Sequence, residues 1–438
     1  MIFNVKSCDR LKGAINLPAS KSYSIRAFIV AACGGRSHIV GASDCDDAVV
    51  ARQVAKALGA SVTADGDSAW KIEARSLVKA SGASGRLRVN VGESGTSLRF
   101  VLPLLPFFCS TAEVNGKGTL VGRPNHHLCA ALRACGLQIR GDGAVESVPV
   151  HFAGGALPGG KISVDGSVSS QFISALMIAA PMSAADTRLM MSGGTLVSRE
   201  YVVMTRQILE RAGVRVTPKG SREFFIPGGQ MYQGLKKFHV PSDWGLAAFF
   251  MVAAALVPGN VTLKGRFDDE LIQSDGAIVP LLTKMGLRFF RTAQAIRIKG
   301  PCQLKGGVFS LKDCPDLVPI MAVAAMFAKG PTRLKDIGHA RVKESDRISD
   351  LRQELLKVGA DIQEKPDELL ITPKAVYQSG AVLDPHHDHR LAMAFAVLGL
   401  KVGVTVRDIE CTAKSYPAFV TALRSLYEGG HGGPPLHA

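Results

Sequence analysis

Lys56-Ala57-Leu58-Gly59-Ala60-Ser61-Val62 reads as a helix running out into a strand. The Leu-rich approach suits an amphipathic helix, Gly59 suits the left-handed position that ends one, and an apolar residue three places on suits the inward face of a strand. The same signature returns around Gly136 with Ile139, Gly213 with Val216, Gly286 with Phe289 and Gly359 with Ile362, at intervals of 77, 77, 73 and 73 residues. A second marker keeps that beat. Nearly unbroken apolar runs open at Lys21, Gly95, Ser169, Asp243, Asp316 and Asp388, spaced 74, 74, 74, 73 and 72 residues apart. Ser20, Ser94 and Ser242, of a residue type that caps helix starts, stand just before three of them. Two independent markers with one spacing predict an α/β chain of six similar units.

The runs 172–181 and 317–327 have no polar face, so each unit is expected to pack around helices buried on all sides. Six units group as three plus three. The expected domains are 21–240 and 1–20 with 241–428, the N-terminal strand joining the last three units. Residues 429–438, rich in Gly, Pro and His, read as a disordered end.

Lys plus Arg total 52 against 37 for Asp plus Glu, a net charge of +15 that favours anionic partners of any size. Six Tyr and two Trp, with no basic run interleaved by aromatics, argue against a stacking platform for nucleic acid. The nine cysteines form no C-x-x-C pair, which argues against a zinc cage or redox motif. No apolar stretch approaches the roughly 20 residues that cross a bilayer, and no secretory signal follows Met1, so a cytoplasmic protein without a membrane partner is expected.

The helix starts carry the chemistry. Exposed amides and the helix dipole make an N-terminus receptive to anions. Lys21, Ser22 and Arg26 supply an ammonium, a hydroxyl and a guanidinium within about one and a half turns. Gly92-Glu93-Ser94-Gly95-Thr96 lets an anion approach the backbone, and Ser169-Ser170-Gln171 is a neutral hydrogen-bonding cluster. Asp316 opens the fifth run, followed by Arg341-Val342-Lys343-Glu344-Ser345-Asp346-Arg347, a pattern usual on a solvated helix face. Asp388-His389-Arg390 and Lys414 belong to the sixth. Cations for phosphate and carboxylate together with carboxylates for proton transfer suit an enzyme that joins small anionic substrates.

At Ser20-Lys21-Ser22 with Arg26, Gly95-Thr96, Arg123-Pro124, Ser169-Ser170-Gln171, 341–347, Asp388-His389-Arg390 and Cys411-Thr412-Ala413-Lys414, the chain resembles the shikimate-pathway branch of the enolpyruvyl transferase family. The likeness covers essentially residues 1–427. It implies a two-domain fold of six βαβαββ-type units with a charged cleft between the domains. The 5-hydroxyl of shikimate 3-phosphate would add to C2 of phosphoenolpyruvate, and phosphate would leave. Lys21, Gly95, Arg123, Gln171, Arg347, Arg390 and Lys414 would hold phosphoenolpyruvate. Lys21, Ser22, Arg26, Ser169, Ser170, Gln171, Ser198, Tyr201, Asp316 and Lys343 would hold the shikimate partner. Asp316 would be the base for the attacking hydroxyl with Lys21 beside it, and Glu344 would exchange a proton with the methylene carbon. No cofactor and no metal are implied, nor any partner beyond the two substrates, and a monomer is expected.

The chain departs from the commoner family pattern at Glu93 and Ser94, at Asn125-His126-His127, at Asp243-Trp244 and at His339, which is left out of the expected site. A sister enzyme that uses a UDP-amino sugar shares the family's fold. It usually carries a reactive Cys in the loop that here reads Asn115-Gly116-Lys117-Gly118-Thr119-Leu120-Val121-Gly122, and a Lys-Asn where this chain has Lys21-Ser22. A non-catalytic anion or nucleic-acid binder would gain nothing from Asp316 and Glu344. The stretch 155–162 nearly spells a phosphate-binding Walker loop, but Ile162 cannot ligate magnesium.

Overall fold

The computed structural model describes residues 1–75, 85–194 and 196–427; the expected disordered end, 429–438, lies outside them. The chain divides into two compact units, one spanning Ala19–Val240 and the other Met1–Pro18 with the chain from Pro241 onward. Ala19 and Ser20 thus go with the first unit, where Ser20 caps the helix that follows.

Among the described residues the strands form six sheets, five of four strands and one of three. The sheet built from Arg86–Asn90, Thr111–Asn115, Ser147–Gly154 and Gln138–Asp142 shows the plan. Its first two strands are parallel, and a parallel pair needs a crossover, here the helix Gly95–Val101. A second helix, His126–Ala134, then leads into an antiparallel pair. The strands starting at Gly160 and Lys305 open sheets of the same order.

Two sheets borrow their first strand from a distant part of the chain. Phe238–His239 lies parallel to Gly35–Val40 in the first unit, and Leu11–Asn16 lies parallel to Gly259–Lys264 in the second. The three-stranded sheet is completed by Ile2–Val5 against Val404–Arg407. The N-terminal strands therefore belong with the second half of the chain.

The apolar runs are helices without a solvated face. In the first unit Gly95–Val101 packs against both Lys21–Ala32 and Ser170–Ala179. In the second, Trp244–Leu256, Val318–Met326 and His389–Val402 pack on one another, and every residue of the first two is buried. All five repeat glycines take positive φ, between 78° and 102°, where a side chain would strain the backbone.

Several local expectations are corrected. Ser169, Asp243 and Asp388 are not the first residues of their helices but their N-caps, each accepting a backbone N–H with its side chain. Because Asp243 does this, Ser242 does not cap; its hydroxyl accepts from Arg266 N instead. Asp316 sits in a 3-10 turn, Pro315–Leu317, ahead of the helix Val318–Met326. The run 341–347 is no helix face either: a 3-10 turn, Gly338–Val342, leads into non-helical chain, and Arg341 is bound to Asp346 and to the carbonyls of Lys365 and Pro366. Residues 155–159 join two strands, with no helix start to cradle a nucleotide phosphate. Among the described residues no helix is long and apolar enough to cross a membrane.

Candidate active site

In the first unit, the helix starts at Lys21, Gly95 and Ser170 bring the candidate residues forward. Lys21 Nζ lies 3.2 Å from the buried carboxylate of Asp47. Ser22 lends its carbonyl to Arg26 Nη1 at 3.0 Å. Arg26 is buried, with Nε on Thr205 Oγ1 at 2.9 Å and Nη2 on the Tyr201 carbonyl at 3.1 Å. Its guanidinium also lies over the Phe100 and Tyr201 rings. Burial lowers its pKa to about 10, still far above neutrality, so the charge persists. Arg26 is thus built into the unit, and a ligand would meet a guanidinium already fixed in direction.

Gly95 opens its helix because a larger residue would collide with two guanidinium groups. A Cβ there would stand 2.7 Å from Arg99 Nη1 and 3.0 Å from Arg123 Nη1. Arg99 donates to Asn125 Oδ1 at 2.9 Å, to Gln171 Oε1 at 2.8 Å and to the Pro124 carbonyl at 3.1 Å. Gln171 in turn donates to Thr96 Oγ1 at 3.0 Å. Gly95, Arg123 and Gln171, more than seventy residues apart at the extremes, are therefore held around one point by Arg99 and Asn125. Glu93 accepts from the Thr119 backbone N at 3.1 Å and hydroxyl at 2.8 Å, fastening the loop before Arg123 to the same helix start.

Ser169 caps the helix that carries Ser170 and Gln171. Ser198 has φ 55° and ψ 45°, a left-handed conformation that costs a serine of order 1 kcal/mol, and its buried hydroxyl has no hydrogen-bond partner among the described residues. A strained backbone presenting an unsatisfied hydroxyl suits a ligand contact. Tyr201 lies one turn on, under Arg26.

The second unit gathers the candidate carboxylates around one cation. Arg347, 1% exposed, donates from Nε to Asp388 Oδ2 at 2.7 Å, from Nη1 to Asp316 Oδ1 at 2.6 Å and from Nη2 to Glu344 Oε2 at 2.8 Å. Arg390 Nη2 reaches the other Asp316 oxygen at 3.0 Å, and Lys414 Nζ stands 3.7 Å from Glu344 Oε1. Burial alone would push the Asp316 carboxyl up, but Arg390, Arg347 and Lys343 outweigh it and hold the group well below the usual carboxylate range. Burial works against the Arg347 charge too, and Asp388, Glu344 and Asp316 more than restore it. Asp316 is consequently an ionised acceptor. His339 has its pKa pushed down to about 3, by burial and then by Lys343, and its ring stays neutral at any ordinary pH.

Sequence reasoning gave no role to Asp47, Arg99, Asn125 or Asp275. Arg99 is one turn beyond Gly95 on the same helix, a spacing that places it at the helix mouth. Asp275 stands in a short 3-10 turn, Ser274–Ala277, where no periodicity marks it.

The comparisons with known proteins follow the same lines. Residues 5–423 match the family described as EPSP synthase (3-phosphoshikimate 1-carboxyvinyltransferase). A 3-phosphoshikimate 1-carboxyvinyltransferase of a Sulfurovum species is 35% identical over 430 residues, covering 96% of this chain and 98% of its own. One from Photobacterium profundum is 35% identical over 424 residues, covering 95% and 97%. Among solved structures, EPSP synthase from Acinetobacter baumannii superposes with a TM-score of 0.79 at 27% identity, covering 97% of this chain and 98% of its own. The enolpyruvyl transferase NikO from Streptomyces tendae, at 18% identity and a TM-score of 0.76 over 97% of each chain, shares the fold.

Proposed function

The chain belongs to the EPSP synthase family of transferases, and from that premise we propose that it moves the enolpyruvyl group of phosphoenolpyruvate to the 5-hydroxyl of shikimate 3-phosphate, releasing phosphate. The observation that carries this reading is the convergence of Asp316 and Glu344 on Arg347. Proton removal from a hydroxyl and proton delivery to a carbon need two carboxylates close together, and one buried guanidinium holds both in fixed directions.

In this reading Asp316, kept ionised by Arg390 and Arg347, takes the hydroxyl proton, assisted by Lys21. Glu344 delivers a proton to C3 of phosphoenolpyruvate, which makes C2 cationic and open to attack, and removes a proton when phosphate leaves. Nearby carboxylates favour that cationic carbon, while Arg123, Lys414 and the guanidinium groups of Arg347 and Arg390 favour the departing anion. Gly95 and Gln171 complete the phosphoenolpyruvate contacts. Ser22, Arg26, Ser169, Ser170, Ser198, Tyr201 and Lys343 serve the shikimate partner. The enzyme works as a cytoplasmic monomer, with all charges supplied by side chains rather than by a cofactor.

Phosphate release tests the reading. With phosphoenolpyruvate and shikimate 3-phosphate, release is expected to depend on both; with phosphoenolpyruvate and a UDP-amino sugar, none is expected. Release with the sugar nucleotide alone would refute the substrate assignment.

A further inference from the structure

Three successive residues in the second unit bind the starts of all three of its central helices. Gln273 accepts from Trp244 N at 3.2 Å and donates to the Ser242 carbonyl at 2.8 Å, which fixes the turn to the helix Trp244–Leu256. Ser274 donates its hydroxyl to the carbonyl of Asp313, in the loop that delivers Asp316. Asp275 Oδ2 stands 3.6 Å from Arg390 Nη2, on the helix His389–Val402. The Asp275 and Arg390 side chains are only 7% and 3% exposed. The backbone makes room for their meeting: a Cβ on Gly245 would fall 2.3 Å from Asp275 Oδ2 and 2.7 Å from Arg390 Nη1.

We propose that Asp275 is a positioning residue whose carboxyl anchors the Arg390 guanidinium so that it reaches Asp316. The proposal rests on the function proposed above, in which Arg390 holds phosphoenolpyruvate and Asp316 receives the proton. Arg390 Nη2 is shared by two carboxylates, 3.0 Å from Asp316 and 3.6 Å from Asp275. Asp275 thus supplies one of the carboxylates that fix the direction of the guanidinium, and its loss weakens that hold.

The charge pattern fits this division of labour. Asp275 is faced by Arg390 and Arg347 and by Asp316, Asp243 and the Cys314 thiol. Burial first, and then the Asp316 charge, push its pKa up to about 7 against the pull of Arg390. Below that pH it anchors Arg390 without competing for its charge. Above it a second negative charge draws Arg390 off Asp316, so the KM for phosphoenolpyruvate should climb as pH rises through 7.

The test compares the full-length chain with Asp275→Ala and Asp275→Asn. Asp275→Ala should raise the KM for phosphoenolpyruvate about tenfold while leaving that for shikimate 3-phosphate within about twofold. Asp275→Asn, which mimics the protonated carboxyl, should recover most of that loss and flatten the KM–pH profile above pH 7. An unchanged KM in Asp275→Ala overturns the proposal, as does an equal loss towards both substrates that merely tracks the fraction of folded protein. A crystal structure of unliganded Asp275→Ala supplies a readout independent of turnover: Arg390 rotated away from Asp316 supports the proposal, and Arg390 unmoved overturns it. Wild-type protein that releases no phosphate from the two substrates would sink the functional reading alone and leave that structural outcome to decide.

Discussion

Arg347 meets three carboxylates with three nitrogens at 1% exposure, and its removal would strip the fully buried Asp388 of its guanidinium and take from Asp316 and Glu344 one of the cations that hold each. Breaking such a cluster costs about 3–5 kcal/mol. Arg347→Met should therefore lower unfolding stability by that amount in urea and abolish turnover. Gly95→Ala tests a different property, since the new methyl meets the flexible ends of Arg99 and Arg123 rather than backbone. Its KM for phosphoenolpyruvate should rise about tenfold with a melting temperature close to that of the wild type, because the guanidinium groups move and the core does not. Asp316 and Asp275 have opposite linkage to pH. Asp316 is held below the usual carboxylate range, so its contribution is present above about pH 4 and is lost as pH falls further. Asp275 keeps a proton that the unfolded chain releases, so stability declines from about pH 4 up to about 7. Chemical denaturation of Asp275→Asn against wild type should show a stability advantage that grows across that interval and then levels.

At the scale of the element, the helix starts were legible because capping chemistry and apolar runs coincide there. Ser20, Ser94, Ser169, Asp243 and Asp388 each accept a backbone N–H at the mouth of a buried helix. Asp388 does this while also binding Arg347, so one side chain fixes both a helix end and the central cation. Asp388→Ala should cost more than the roughly 1 kcal/mol of a lost cap, because Arg347 also loses a partner; thermal unfolding beside Ser94→Ala separates the two contributions. What was not legible lies between the helices. The charges of 341–347 suggested a helix face, yet Arg341 turns to the neighbouring hairpin and Arg347 to the interior, because three-dimensional partners outweigh local spacing. Asp275 had no signal at all, since a four-residue 3-10 turn has too few positions to show a period.

For the whole molecule, the repeat spacing carried most of the architecture. Five left-handed glycines and six apolar helices are local features, and their regular intervals survive in sequence. The borrowed strands were harder, because Phe238–His239 is too short to show alternation and Leu11–Asn16 finds its partner some 250 residues away. The chemistry was readable only as residue types at helix mouths; which cation holds which carboxylate required the packed helices. In the proposed reaction Glu344, held by Arg347 and Lys414, exchanges a proton with the methylene carbon of phosphoenolpyruvate. The most direct measurement is turnover of phosphoenolpyruvate and shikimate 3-phosphate in deuterium oxide, with the deuterium content of the product methylene read by NMR. Wild-type enzyme should place deuterium there, and Glu344→Gln should form product at least about a hundredfold more slowly. Product formed at the full rate with an undeuterated methylene would rule out proton exchange at that carbon.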